Sequence, residues 1–277
     1  MIRRIALPLA LSVLAGAVGA LPAHAQQAPS VQETNLRAKP ATVLIISEVA
    51  AEVTLDCGGG SQTVKPTAFR ETGTGWFIDP TGWVITNGHV VQPAHETPRW
   101  LVNQMAQRAV TSACLGPALK AAGRLSGDNP EAEDALKRKL LDKILPTKAT
   151  ITAQISVVLS SGKRLKAEVK KYNPPATTEP GAASARDLAL LRVPEGNYPA
   201  LPLADSTTVQ IGDPLRILGF PGVVLSHELL NESASLDASV TTGGVSGLKR
   251  DNANLPLIQT DASAAWGNSG GPVINAK

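Results

Sequence analysis

Short runs of β-branched and aliphatic residues, separated by Gly, Pro, Asn and Asp, recur along the chain from Ala41 onward. Runs of this length between turn-forming residues are typical of an all-β sandwich or barrel rather than of alternating strands and helices. Asp79-Pro80-Thr81-Gly82 lies between two of these runs and predicts a hairpin turn. The predicted strands are residues 42–46, 75–78, 83–86, 155–159, 164–169, 188–193, 214–218, 238–242 and 257–260.

One block of about fifty residues, roughly 97–146, departs from this pattern. Residues 97–123 and 130–145 are predicted to be helical. The second helix has Asn129 as a capping residue and Pro130 at its first position. Its apolar residues Leu136, Leu140 and Ile144 recur every four residues and form one stripe. We interpret the block as a helical insertion that packs on its own stripe at the surface, with a regulatory or partner-binding role as the alternative.

The first 25 residues have the layout of a secretory signal. Arg3 and Arg4 precede an apolar run at residues 5–21, and Ala23-His24-Ala25 is a small-x-small cleavage site. An uncleaved membrane anchor is the alternative, but the apolar run is short for a bilayer. We therefore predict cleavage after Ala25, a periplasmic or secreted protein, and no stable membrane span after cleavage. Residues 26–40 are predicted to form a flexible mature N-terminus, followed by one domain at 41–277.

Charge and composition narrow the class of partner. The 277 residues are 43% hydrophobic and 18% charged, with 26 basic and 23 acidic side chains, so the formal net charge is +3. Without Arg3 and Arg4 the counts are 24 and 23, which leaves +1. A nucleic-acid partner requires a clustered basic face, and the sequence gives no indication of one.

The chain has two cysteines, Cys57 and Cys114. An even pair in an oxidising compartment is a disulfide candidate. Two unpaired thiols are the alternative.

Three segments carry residues suited to covalent catalysis, and they contain His89, Asp187 and Ser269. A serine hydroxyl needs an imidazole to take its proton, and a carboxylate to hold that imidazole in the right tautomer. The Gly-rich turn around Ser269 predicts that the backbone N–H groups of Gly267 and Ser269 receive the charge developing on the carbonyl oxygen. We predict His89, Asp187 and Ser269 as a catalytic triad.

Order along the chain separates this hypothesis from its alternatives. The G-x-S-x-G pattern also fits an α/β-hydrolase, but there the acid and the histidine follow the serine. Here only eight residues follow Ser269. A metal-dependent hydrolase is a further alternative, but His89 and His95 lack the spacing of a shared ion site. We expect no metal and no other cofactor. A non-catalytic binding or chaperone module on the same fold remains open.

Several segments resemble the protease domain of HtrA/Do-like bacterial trypsin-type peptidases. They are GTGWFIDPTGWVITNGHVV, ARDLALLRV, SVTTGGVSGLKR, IQTDAS and GNSGGPV. The resemblance implies two packed, six-stranded-type antiparallel β-barrels with the triad in the cleft between them. It also implies cleavage of misfolded or exported proteins as substrates, without a metal. His89 is then the base, Asp187 its orienting partner and Ser269 the nucleophile, and the specificity pocket includes Ser263 and Ala264.

The sequence also departs from that family. The helical insertion after His89 is much longer than in relatives. Relatives continue beyond the position of Lys277 with further strands and often a PDZ domain, so we expect the second barrel to be incomplete here. The oligomeric state is left open.

Overall fold

A computed structural model describes residues 30–123, 129–175, 186–251 and 254–275. The predicted signal peptide lies outside these residues. Eleven strands are described: β1 Thr42–Asp56, β2 Ser61–Val64, β3 Phe69–Asp79, β4 Trp83–Thr86, β5 Lys148–Val158, β6 Arg164–Asn173, β7 Leu188–Arg192, β8 Pro214–Gly219, β9 Ser239–Arg250, β10 Pro256–Thr260 and β11 Val273–Ile274. The helices are α1 Val31–Ala38, α2 Gly88–His95, α3 Arg99–Ala121, α4 Pro130–Lys143, α5 Gly222–Leu225 and α6 Glu232–Ser235.

Six antiparallel strands form a closed barrel. Their order is β1-β3-β4-β7-β6-β5, and β1 closes the barrel by pairing with β5. β2 extends the sheet beside the far end of β1. Side chains that alternate along the strands fill the interior, including Ile45, Phe77 and Leu191, all 0% exposed. The Asp79 turn between β3 and β4 is present, with Gly82 at φ +114° and its N–H donating to the Asp79 carbonyl.

The second sheet has the strand order β10-β9-β8-β11, also antiparallel. It is joined to the barrel through a shared apolar cluster. Phe220, Leu236 and Ala238 pack there against Leu44 and Val158 of the barrel. The predicted mostly antiparallel β fold is confirmed: a closed six-stranded barrel packs against a second sheet.

The helical insertion packs against the second half of β1, so the interpretation as an appendage packing on its own stripe is wrong. α3 buries Leu101 and Met105 against Val53 and Leu55 of β1. The cause is the alternation of β1: the apolar face that fills the barrel interior at Val43 and Ile45 continues along the strand, and α3 covers the continuation. A disulfide joins Cys57, just after β1, to Cys114 on α3.

Some elements were not predicted. A helix, α1, occupies most of the segment expected to be flexible, with Ser30 as its N-cap and an Arg37–Glu33 ion pair. β2 and β11 are short strands that the hydrophobic pattern did not indicate. Among the described helices, none is both long and apolar enough to cross a membrane.

Candidate active site

His89 is the second residue of α2, which begins directly after β4. Its segment lies beyond the predicted strand 83–86 and was not predicted to be helical, but Asn87 has an extended backbone (ψ 150°) and α2 begins at the next residue. The Asn87 side chain does not cap this helix; its amide donates instead to the carbonyl oxygen of Asp187 at 2.7 Å. Gly88 allows the close approach, because a Cβ there would lie 2.4 Å from the Asn173 carbonyl oxygen.

His89 and Asp187 are paired through two contacts. The ring Nδ1 of His89 lies 2.7 Å from Asp187 Oδ2, and the backbone N–H of His89 donates to Oδ1 at 2.7 Å. An ionised carboxylate only accepts hydrogen bonds, so Nδ1 carries the proton and Nε2 is left as an acceptor. The His89 side chain is 38% exposed and that of Asp187 26%, so the pair is partly shielded but reachable from solvent.

Asp187 is held in an uncommon backbone conformation. Its φ is +48°, in the left-handed region, which Asp tolerates better than most residues. Its N–H donates to the Pro174 carbonyl at 3.1 Å, and its own carbonyl accepts from Asn87. β7 begins at the next residue. Strained residues of this kind persist only where the surroundings fix them, and here the fixed group is the partner of His89.

The pairing changes the protonation of both groups. The hydrogen bond with Asp187 raises the pKa of His89 above its ordinary 6.5 although burial opposes this, and the nearby charges of Asp187 and Glu71 add to the rise. Burial raises the pKa of the Asp187 carboxyl, but hydrogen bonds from the His89 ring and the backbone outweigh it, so the pKa lies below its ordinary value. The protonated histidine is thus favoured next to a charged carboxylate.

Ser269 lies in the turn between β10 and β11, in the second sheet. Gly267 and Gly270 on either side of it have φ values of +100° and +83°, which favour glycine. Thr74 of β3, fully buried, holds this turn at two points. Its N–H donates to the Ser269 carbonyl at 2.8 Å, and its hydroxyl donates to the Gly267 carbonyl at 2.7 Å.

The same turn packs against the segment that carries His89. A Cβ added to Gly270 would lie 2.3 Å from Thr86 Oγ1 and 2.8 Å from the backbone N of Asn87. The structure therefore brings Ser269 to the same face of the molecule as the His89–Asp187 pair. Both Ser269 and His89 are described, and no hydrogen bond joins the serine hydroxyl to the histidine. Such contacts often tighten only when substrate is bound.

The two predicted oxyanion donors, Gly267 and Ser269, are flanked by described residues that leave their N–H groups available. Within the described chain, the N–H groups of Gly267 and Ser269 donate to no backbone or side-chain acceptor. Gly267 lies close to the Phe220 carbonyl oxygen, because a Cβ added to Gly267 would be only 2.3 Å from that oxygen. Two N–H groups without partners beside a serine are an arrangement that can receive a developing negative charge.

The other predicted residues lie around this turn or away from it. Ser263 and Ala264 are exposed, and the Ser263 carbonyl is anchored by the Thr241 hydroxyl at 2.7 Å. Away from the turn, the His95 ring packs against Tyr172 at 4.7 Å, and His227 Nδ1 accepts from the Leu229 N–H. Within the described ranges, no group of three or more His, Cys, Asp or Glu side chains could hold a metal ion.

The sequence model of the family described as "Trypsin-like peptidase domain" matches residues 73–277. The chain belongs to the trypsin-like peptidase family. The predicted resemblance to trypsin-type peptidases is confirmed.

Relatives of this trypsin-like peptidase are serine proteases. The chain is 34% identical over 125 residues to a probable periplasmic serine endoprotease DegP-like of Halomonas elongata, covering 44% of this chain and 22% of that protein. It is 34% identical over 108 residues to the mitochondrial serine protease HTRA2 of Drosophila willistoni, covering 36% and 22%. A solved HtrA-type protease, AlgW with a decapeptide, has a TM-score of 0.49 and 20% identity, covering 90% of this chain and 56% of that one. The matches span about a fifth of the two sequence relatives.

Sequence reasoning missed three residues of this trypsin-like peptidase's site. The Thr74 hydroxyl bonds to a residue 193 positions away in the sequence, and the Asn87 amide to one 100 positions away. The residues next to each in the sequence do not indicate these partners. Glu71, half-buried on β3, lies close enough to His89 for the two charges to influence each other. Burial raises its pKa, and the nearby His89 opposes the rise.

Proposed function

We propose that this chain is a serine endopeptidase in which Ser269 is the nucleophile, His89 the general base and Asp187 the group that orients His89. The observation that carries the proposal is the His89–Asp187 pair, because it leaves Nε2 free to accept a proton, and the Ser269 turn packs against the segment that carries His89. Membership of the trypsin-like peptidase family supports the same reaction class.

The proposed reaction has two stages. His89 Nε2 takes the proton of the Ser269 hydroxyl as its oxygen attacks the carbonyl carbon of the peptide bond. The charge on the carbonyl oxygen is received by the N–H groups of Gly267 and Ser269. The protonated His89 then gives its proton to the amide nitrogen of the peptide bond. The carbon–nitrogen bond breaks, the amine leaves, and the acyl group stays on Ser269 as an ester, the acyl-enzyme. Water, activated by the same histidine, hydrolyses this ester and restores the free serine.

The substrates are proposed to be proteins or peptides, in particular misfolded or exported proteins, and the site of action periplasmic or secreted. The relatives named as periplasmic serine endoproteases support this. Trp266, 75% exposed immediately before Gly267, lies at the edge of the serine turn with Ser263 and Ala264. We place the pocket for the residue preceding the cleaved bond beside this segment.

The decisive experiment measures hydrolysis of casein and labelling by a serine-directed phosphonate. Ser269→Ala is expected to abolish both, and His89→Ala to lower turnover by about 10⁶-fold. The double variant should lose little more than either single one, since triad members act as a unit. Ser61→Ala makes the same chemical change as Ser269→Ala on the exposed strand β2 and should leave turnover unchanged. Casein hydrolysis that survives Ser269→Ala would contradict the proposal; absence of labelling in the folded parent protein would favour a binding module.

A further inference from the structure

A cleft of about 770 Å³ lies between the helical insertion and the segment that enters β3. One wall is residues 66–70, which end in the first two residues of β3. The other wall is formed by α3 and α4. The Cys57–Cys114 disulfide holds α3 to the end of β1, the strand that pairs with β3. This volume is in the range of preformed ligand sites.

The lining of the cleft is basic. Arg70, Arg108 and Lys137 contribute three positive charges, and none of the twelve described residues that line the cleft is Asp or Glu. Arg70 is paired with Glu48 at 2.5 Å. Arg108 contacts only a backbone carbonyl, that of Thr67 at 3.3 Å, and neither Arg108 nor Lys137 has an acidic partner within the described ranges. Two cations of the cleft are therefore available to an anionic ligand.

The remaining lining residues indicate what kind of anion fits. Gln107, which is exposed, has a side-chain amide that can pair with a peptide group. The N–H groups of Thr67 and Ala68, in the segment between β2 and β3, donate to no acceptor among the described residues. Phe69 and Leu141 supply apolar surface. Free backbone N–H groups beside apolar surface are a combination that peptide-binding sites use.

We propose that this cleft binds an extended acidic segment of a polypeptide. Its carboxylates would lie at Arg108 and Lys137, its backbone beside residues 67–68 and Gln107, and its apolar side chains on Phe69 and Leu141. A small inorganic anion would fill little of the volume and would use neither Gln107 nor the apolar surface. The site is separate from the Ser269 turn, although Arg70 lies only four residues before Thr74 on β3.

The test uses the full chain with Ser269→Ala, so that binding is measured without cleavage. The probe is a short fluorescent peptide in which aspartate alternates with leucine, followed by fluorescence anisotropy. We expect saturable binding that weakens with added salt. Lys137→Ala should raise Kd about threefold, and Arg108→Ala with Lys137→Ala about tenfold. Lys139→Ala, the same charge change on the same helix outside the cleft, should leave Kd unchanged.

Several outcomes would overturn the proposal. Equal affinity for a peptide with asparagine in place of aspartate would remove the role of the charges. Equal weakening by Lys137→Ala and Lys139→Ala would mean general attraction rather than a site. Equally tight binding of a single-stranded oligonucleotide of the same charge would indicate a polyanion surface, not a polypeptide site. Thermal melting of each variant checks folding; because Lys137 is exposed, the comparison with Lys139→Ala holds even if the double variant is destabilised.

Discussion

Thr74 of the barrel donates its backbone N–H to the carbonyl oxygen of Ser269, at 2.8 Å, although Ser269 belongs to the second sheet. The hydroxyl of the same threonine donates to Gly267 at 2.7 Å and accepts from the Phe220 N–H at 3.0 Å. One buried side chain from the first barrel thus fixes the turn that carries the proposed nucleophile and both proposed oxyanion donors.

Replacing this hydroxyl should affect catalysis more than substrate binding. Thr74→Val has nearly the same shape but leaves the Gly267 carbonyl and the Phe220 N–H without partners, at a cost of about 1–3 kcal/mol each. The turn would shift, and we expect kcat to fall by about 10²-fold with a small change in KM. Steady-state kinetics on a peptide substrate measure this. Thr74→Ser keeps the hydroxyl and should retain most of kcat; an equal loss in both variants would refute a role for the hydroxyl.

The pH dependence of kcat/KM should follow His89, which acts as a base only when neutral. Because Asp187 raises the pKa of His89, we expect the midpoint of the acid limb to lie above pH 6.5. The stabilisation from the charged pair is present below the ordinary pKa of histidine and is lost as pH rises through the folded pKa.

Glu71→Gln should lower the midpoint of the acid limb of kcat/KM, because it removes a negative charge near His89. Glu52→Gln removes an equal charge on an exposed part of β1 and serves as control; an unmoved midpoint in Glu71→Gln would exclude the electrostatic effect.

Reduction of the disulfide should destabilise the protein without direct damage to the site. The bond closes a loop with a sequence separation of 57 residues. In the chain-entropy model, closing such a loop raises the free energy of unfolding by about 4 kcal/mol. Urea unfolding with and without dithiothreitol measures the difference in the free energy of unfolding. Since the chain has two cysteines, the reductant acts only there. Equal unfolding curves, or two free thiols by peptide mapping of exported protein, would contradict the prediction.

Chelators should leave peptide hydrolysis unchanged, because the proposed mechanism transfers protons between Ser269, His89 and the substrate alone. Activity in EDTA is expected to equal that in buffer, while a serine-directed phosphonate abolishes it. Loss of activity in EDTA that added zinc restores would instead indicate a metal-dependent hydrolase.

The fold could be predicted best where local pattern and turn chemistry agree. The strand at Trp83–Thr86 has its predicted bounds, because the Asp79 turn fixes its start and Asn87 its end. α2 was missed because Val90 and Val91 are only two consecutive apolar residues, too short a run for strand and helix periods to be told apart. α1 was missed because it is mostly polar, and its helical form is supported by Ser30 and by the burial of Ala38.

The sequence indicated which residues carry the proposed chemistry of the candidate site, but not the hydrogen bonds that hold those residues in place. His89, Asp187 and Ser269 are identified by residue type and order along the chain, which a sequence carries directly. The bonds from Thr74 and Asn87 depend on how two sheets and a helix dock, so they have no local signature. The basic cleft depends likewise on where α3 lies on β1, which the apolar stripe of α4 alone did not indicate.

β1 belongs both to the barrel and to the apolar cluster beneath α3, so the helical insertion is not an independent module. The first half of β1 supplies Val43 and Ile45 to the barrel interior, while its second half supplies Val49, Val53 and Leu55 to the cluster beneath α3. The helices therefore cannot be excised as a cassette, because joining Glu96 directly to Thr147 would expose the apolar second half of a strand that the barrel needs for closure. Barrel and insertion should melt in one transition, and grafting these helices onto another protease would require grafting β1 with them.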